Sequence, residues 1–161
     1  MALCCVAAYI SFPLPFTPAY VTALTLALSL TAFVLPPKQT FFVVLTYVLI
    51  GAVGMPVFAG QQGLAKLLGP SGGFYFAWML AFPLLSAAKG AAPNFKRYAL
   101  ADVLIAVPIT YVGGLLSMML VSELTLSQAF VAAVLPFIPG DVMKACAAAW
   151  LGVKLNRAMP M

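Results

Sequence analysis

The chain has 161 residues, of which 65% are hydrophobic and 7% charged, with a formal net charge of +5 and no histidine. A soluble domain carries about 25% charged residues, so these proportions exclude one and describe an integral membrane protein. The apolar runs are continuous, whereas the strands of a membrane barrel alternate polar and apolar, and the expected fold is therefore all-α.

The length suits a single domain, 1–161, of five or six spanning helices of roughly 20 residues each. Met1 to Phe12 is apolar but short for a bilayer crossing. No basic segment precedes it, so no cleavable signal peptide is expected. Ser11 to Pro18 holds Pro13, Pro15 and Pro18, cannot continue a helix, and reads as a stiff connection at one membrane face. A second helix is expected from Ala19 to Leu35, ended by Pro36-Pro37, and a third from Gln39 to Met55. The connection from Gly54 to Gly73 is glycine-rich yet apolar. Irregular backbone at membrane depth survives only where protein buries it or a cavity adjoins it, so this connection is expected to cap the bundle. A fourth helix follows from Phe74 to Lys89, and a fifth from Lys96 to Val121 with a kink at Pro108. A short helix from Leu126 to Phe137 leads into the sixth, Pro139 to Leu155.

With six spans, Lys38, Lys89, Lys96, Arg97, Lys154 and Arg157 fall on one side, and Lys66 and Glu123 on the other. The positive-inside rule then makes both termini cytoplasmic. It also sets the proline-rich connection, the glycine-rich cap and the start of the sixth helix on the outer face. The basic residues form no run, which argues against nucleic acid as a partner.

Asp141 and Lys144 stand at the start of that sixth helix. Their spacing puts them on one helix face, and a charge inside a bilayer costs roughly 2.5–3.5 kcal/mol on insertion scales. Such a pair suits a ligand with both N–H donors and an anion, since a carboxylate accepts and an ammonium neutralises. It equally suits two charges that only neutralise one another. Gln61 and Gln62 can add amide contacts, and Phe58, Phe74, Tyr75, Trp78 and Phe137 can wall an apolar body. Gly140, lacking a Cβ, can admit a close neighbour. Asp102 reads as an interfacial charge and Glu123 as a solvated turn residue. Cys4, Cys5 and Cys146 show no metal spacing and read as apolar filler. There is no phosphate loop and no nucleophile with a base, so neither catalysis nor a cofactor is expected.

Three stretches together resemble the BioY family: Gly51-Ala-Val-Gly-Met-Pro-Val-Phe-Ala-Gly60, Gly69-Pro-Ser-Gly-Gly73 and Leu135-Pro-Phe-Ile-Pro-Gly-Asp-Val-Met-Lys144. Pro13-Leu-Pro-Phe-Thr-Pro18 matches in style, and the resemblance covers nearly the whole chain. BioY proteins are the biotin-binding S components of energy-coupling factor (ECF) transporters. The resemblance implies six helices and a vitamin held near the outer face under the loop between helices three and four. It implies that Asp141 accepts a ureido N–H and that Lys144 meets the polar or carboxylate end. Gln61 would add an amide, and Phe58, Gly60, Gly73, Tyr75 and Trp78 complete the expected biotin set. Implied partners are a membrane T component and two ATPase subunits in the plasma membrane, toward which the S component topples to deliver its cargo. Two departures stand out. Tyr75 occupies a place where some relatives carry an arginine for the carboxylate, leaving Lys144, helped by Lys66 or the Tyr75 hydroxyl. The small residues that dock helix one to the T component are here limited to Cys4, Ala7 and Ala8. Three alternatives remain open: another vitamin, a biotin carrier that works without ATPases, and a structural membrane protein with no ligand.

Overall fold

Proline and glycine mark several of the helix ends in this chain: one helix ends before Pro36, the next starts at Pro37 and another starts at Gly72. The computed structural model describes residues 1–13, 15, 19–60 and 62–158. Helix α1 (Ala2–Tyr9) packs on α2 (Leu24–Val34). Between them lies a two-stranded antiparallel ribbon, β1 (Ser11–Pro13) with β2 (Tyr20–Thr22), pairing Phe12 with Val21. The sequence reading carried the second helix back to Ala19. The ribbon takes those residues instead, because an extended segment has its backbone groups met by a partner strand.

Helix α2 ends before Pro36, which leaves carbonyls without helical partners. Lys89 supplies them: its Nζ donates to Ala32 O at 3.1 Å and Leu35 O at 2.6 Å, and Ser86 Oγ donates to Leu35 O at 2.6 Å. A cation at a helix C-terminus also meets the negative end of the helix dipole. Helix α3 (Pro37–Ala52) begins on proline, and the irregular segment after it contains the short α4 (Leu64–Leu67). Tyr47 Oη donates to Val57 O at 2.7 Å and ties this segment to α3.

Helix α5 (Gly72–Ala88) crosses α7 (Val107–Ser122) at a glycine contact. Gly73 faces the Gly113 carbonyl so closely that a Cβ on either residue would overlap the other helix's backbone. Helix α6 (Phe95–Ala101) is capped by Asn94, whose side chain accepts from Arg97 N at 3.2 Å. It runs through a π-helical turn, Asp102–Ala106, into α7. Pro108 was expected to kink this helix. Pro108 follows directly on the widened turn, where Val107 N–H reaches back to Asp102 O, and the helix continues from Phe95 to Ser122. Helix α8 (Leu126–Ala133) starts on a Thr125–Gln128 capping box. A turn then leads into α9 (Ile138–Ala158), which packs on α2 where Phe33 lies over Gly152.

The 28-residue Phe95–Ser122 helix is long and apolar enough to cross a bilayer. So is the α8–α9 pair taken together, bent by 46° at its break. Helices α2, α3 and α5 are apolar and shorter, at 11, 16 and 17 residues. Leu104, Leu116, Leu120 and Trp150 point outward, a surface suited to lipid rather than water.

The three small residues of α1 expected to form a docking surface do not face outward. Cys4, Ala7 and Ala8 are buried, with Cys4 Sγ 4.0 Å from Thr31 Oγ1 on α2. Ala2, Leu3, Val6 and Tyr9 are the exposed residues of that helix. The small side chains let α1 approach α2 closely, so they are not available as a docking surface.

Candidate functional site

The first turn of α9 sets the site. Asp141 N–H donates to Phe137 O at 2.8 Å, which anchors the turn. Lys144 then lies one turn on, with Nζ 2.9 Å from Asp141 Oδ1 and side chains 17% and 10% exposed for lysine and aspartate. The second carboxylate oxygen accepts from Tyr111 Oη on α7 at 2.9 Å, and Lys144 Nζ also reaches Thr25 Oγ1 on α2 at 3.4 Å. Three helices therefore converge on one ion pair, and both carboxylate oxygens are engaged. A charge pair so enclosed is tolerable only with such added hydrogen bonds.

This pair lines a cavity of about 60 Å³. Phe74, Tyr75 and Trp78 of α5 supply its apolar wall together with Phe137, and Ala59, Lys66 and Ser71 bound it from the segment between α3 and α5. Lys66 is only 6% exposed, and its ammonium stands 5.0 Å from the centroid of the Tyr20 ring. Among the described residues it has no hydrogen-bonding or ion-pair partner. Burial holds its ammonium below the ordinary lysine value. Trp78 is buried too, and its indole N–H meets no acceptor among the described residues. An orphan buried donor is costly, and this one borders the cavity.

The expected residues divide into several groups. Asp141, Lys144, Tyr75, Trp78, Phe74 and Phe137 all line the cavity. Phe58 stands behind the wall, over Gly51, with its ring 4.5 Å from that of Tyr75. Gly60 also stands behind it: its φ is +82°, and a Cβ there would come within 2.7 Å of the Tyr20 ring. Gly73 belongs to the α5–α7 crossing rather than the cavity, because its missing side chain is what lets the two backbones meet. Gln61 lies outside the described residues, and Gln62 is exposed. Gly140 has open space where a Cβ would be, so no group among the described residues exploits its small size. Asp102 is not interfacial: at 2% exposure it is enclosed between helices. Tyr111, Thr25 and Tyr20 were missed. They reach the site only through tertiary packing, and no local spacing links Tyr111 to an aspartate 30 residues away.

The model of one family, the BioY family, matches residues 1–161. The chain belongs to the BioY family. Among its BioY relatives, a biotin transporter BioY2 of Lactococcus lactis subsp. cremoris (strain MG1363) is 31% identical, over 98% of this chain and 86% of that one. A probable biotin transporter BioY of Bacillus subtilis (strain 168) is 31% identical over 92% of this chain and 81% of its own. The fold is also that of a crystal structure of the S-component for biotin from an ECF-type ABC transporter. The two superpose with a TM-score of 0.90 at 23% identity, over 97% of this chain and 86% of the other.

Proposed function

We propose that this BioY chain is the biotin-capturing S component of an ECF-type importer, a role of binding and delivery rather than catalysis. The observation that carries the reading is the Asp141–Lys144 pair, enclosed with Tyr111 on the wall of an aromatic cavity. Biotin offers two ureido N–H donors and a carbonyl on an apolar bicycle, with a carboxylate at the end of an aliphatic arm. Asp141 accepts a ureido N–H, Lys144 donates to the ureido oxygen, and the aromatic wall encloses the rings. Tyr75 contributes apolar wall. Trp78 contributes the indole N–H, which finds its acceptor on the ligand. Phe58 and Gly60 support the site from behind its wall, and Gln61 adds an amide to the ureido group. Lys66 takes the carboxylate, because its ammonium is uncommitted whereas that of Lys144 is held by Asp141.

In this reading one domain, 1–161, crosses the plasma membrane six times with both termini cytoplasmic. The segment between α3 and α5 caps the pocket at the outer face. Small-molecule pockets measure roughly 300–1,000 Å³, well above the 60 Å³ of this cavity. In this reading the cavity widens to admit the vitamin. A membrane T component and two ATPase subunits complete the importer. Uptake of labelled biotin by cells given this chain with and without those subunits tests the assembly. Uptake only with them supports the reading, and equal uptake without them identifies a stand-alone carrier.

Lys66 is tested separately. Lys66→Met is expected to weaken biotin about tenfold, as loss of a charged hydrogen bond of about 1.5 kcal/mol implies, and to leave biotin amide nearly unchanged. Equal losses for the two ligands in titration calorimetry would remove Lys66 from the carboxylate. The sign with pH follows from its burial. As pH rises through the lowered Lys66 value the ammonium is lost and biotin affinity falls, and Lys66→Met removes that fall.

Trp78→Phe keeps an aromatic side chain, smaller than the indole, and deletes the donor. It is expected to weaken biotin by a few-fold to tenfold, in line with about 1 kcal/mol for a neutral hydrogen bond. Unchanged affinity would mean that the indole N–H faces no ligand acceptor.

A further inference from the structure

Beneath the ligand cavity lies a second, smaller one of about 20 Å³. A single water needs roughly 10–15 Å³. Ser29 and Thr25 of α2, Asp102 and Thr110 of the π turn and α7, and Asp141 and Lys144 of α9 line it. Thr25, Thr110, Asp141 and Lys144 also line the ligand cavity, so the two spaces share a polar wall.

Asp102 is the unusual member. It is 2% exposed, and its Oδ2 has no hydrogen-bond partner among the described residues. No cation is committed to it: Lys144 is engaged by Asp141 and Thr25. The groups facing it can be named element by element. Helix α9 presents Asp141 and Lys144, the polar groups of α2 and α7 are the hydroxyls of Thr25, Ser29 and Thr110, and α5 presents Phe82. Tyr98, one turn earlier on α6, is stacked on Phe33 and accepts from Asn156 Nδ2. Asp102 also opens the π-helical turn, a distortion frequent at functional sites. An ionised carboxylate in that position would leave two anions and one cation around a space little larger than one water, an arrangement that burial disfavours. A metal cation there would sit beside an ammonium.

We propose that Asp102 is a proton-binding site beneath the ligand cavity, holding its proton against a single water and coupled to the occupant above through the shared wall of Thr25, Thr110, Asp141 and Lys144. Only an O–H bond is made or broken. On release the proton passes from Asp102 to the cavity water and out through the ligand cavity when that is open. The neutral acid lets Lys144 turn toward a ligand without leaving an unbalanced carboxylate beneath it.

The chain has only three carboxylic side chains, Asp102, Glu123 and Asp141, which makes the test direct. Infrared spectra of the purified full chain in a carboxyl-free detergent at neutral pH are expected to show one protonated-carboxyl C=O band, shifted in deuterated water. Glu123→Gln, at an exposed position, leaves it in place, and Asp102→Asn removes it. Absence of the band in the wild type, or its loss in Glu123→Gln, overturns the proton site whether or not Asp102→Asn folds. The coupling rests on the biotin reading, and its probe is biotin itself. Adding biotin shifts the band, whereas a band indifferent to bound biotin overturns the coupling. If calorimetry on the same sample detects no biotin binding, the biotin reading fails, while the band without ligand still decides the proton site.

Discussion

Asp141→Asn lowers biotin affinity about 100-fold, the equivalent of about 3 kcal/mol. Asparagine keeps the shape of the side chain and can still accept from Tyr111. It loses the charge that balances Lys144 at 2.9 Å and makes a weaker acceptor for a ureido N–H. Truncating one member of an enclosed charge pair costs about 3–5 kcal/mol of stability, and that cost must be separated from binding. The double variant Asp141→Asn with Lys144→Gln restores neutrality. Its melting temperature is expected to recover toward that of the wild type while biotin affinity stays low. Recovery of both would mean that the pair only neutralises itself, the structural alternative that the spacing alone left open. Wild-type affinity in a folded single variant would remove Asp141 from the site.

Gly73→Ala has its large effect on stability. The added Cβ would overlap the Gly113 carbonyl oxygen and come within 2.8 Å of Gly113 C and Ser117 Cβ. Two of these atoms are backbone and cannot rotate away, so α5 and α7 must separate. The separation also strains the Ser117 Oγ to Pro70 O hydrogen bond of 2.7 Å. Overpacking of this kind costs about 1–3 kcal/mol. The apparent melting temperature is expected to drop, and Gly113→Ala to reproduce the drop from the other side of the crossing. Biotin affinity of the folded fraction stays at the wild-type value. Weakened binding at an unchanged melting temperature would return Gly73 to the ligand site and contradict the packing account.

These two positions mark what sequence alone could reveal. Asp141 and Lys144 were legible because their relation is local: three residues apart in a helix opened by Pro139 means one face, whatever the rest of the fold does. The helix ends at Pro36 and Gly90, and the membrane character, were legible for the same reason. Tyr111 was not, because its bond to Asp141 depends on α7 lying beside α9. The glycine of a ligand pocket and the glycine of a helix crossing look alike in sequence, and only the neighbour at Gly113 tells them apart. Asp102 follows Lys96 and Arg97 and so reads as interfacial. The π turn sets it among α2, α5 and α9 instead. The ribbon at Ser11–Pro13 escaped notice because β pairing of three residues leaves almost no alternation to detect.

Biotin binding to the purified chain, measured by titration calorimetry without any partner subunit, tests the central claim most directly. One-to-one, saturable binding of biotin, with none for an unrelated vitamin such as thiamine, is the predicted result. A monodisperse, folded chain that releases no heat with biotin and shows no competition for it would contradict the capture role.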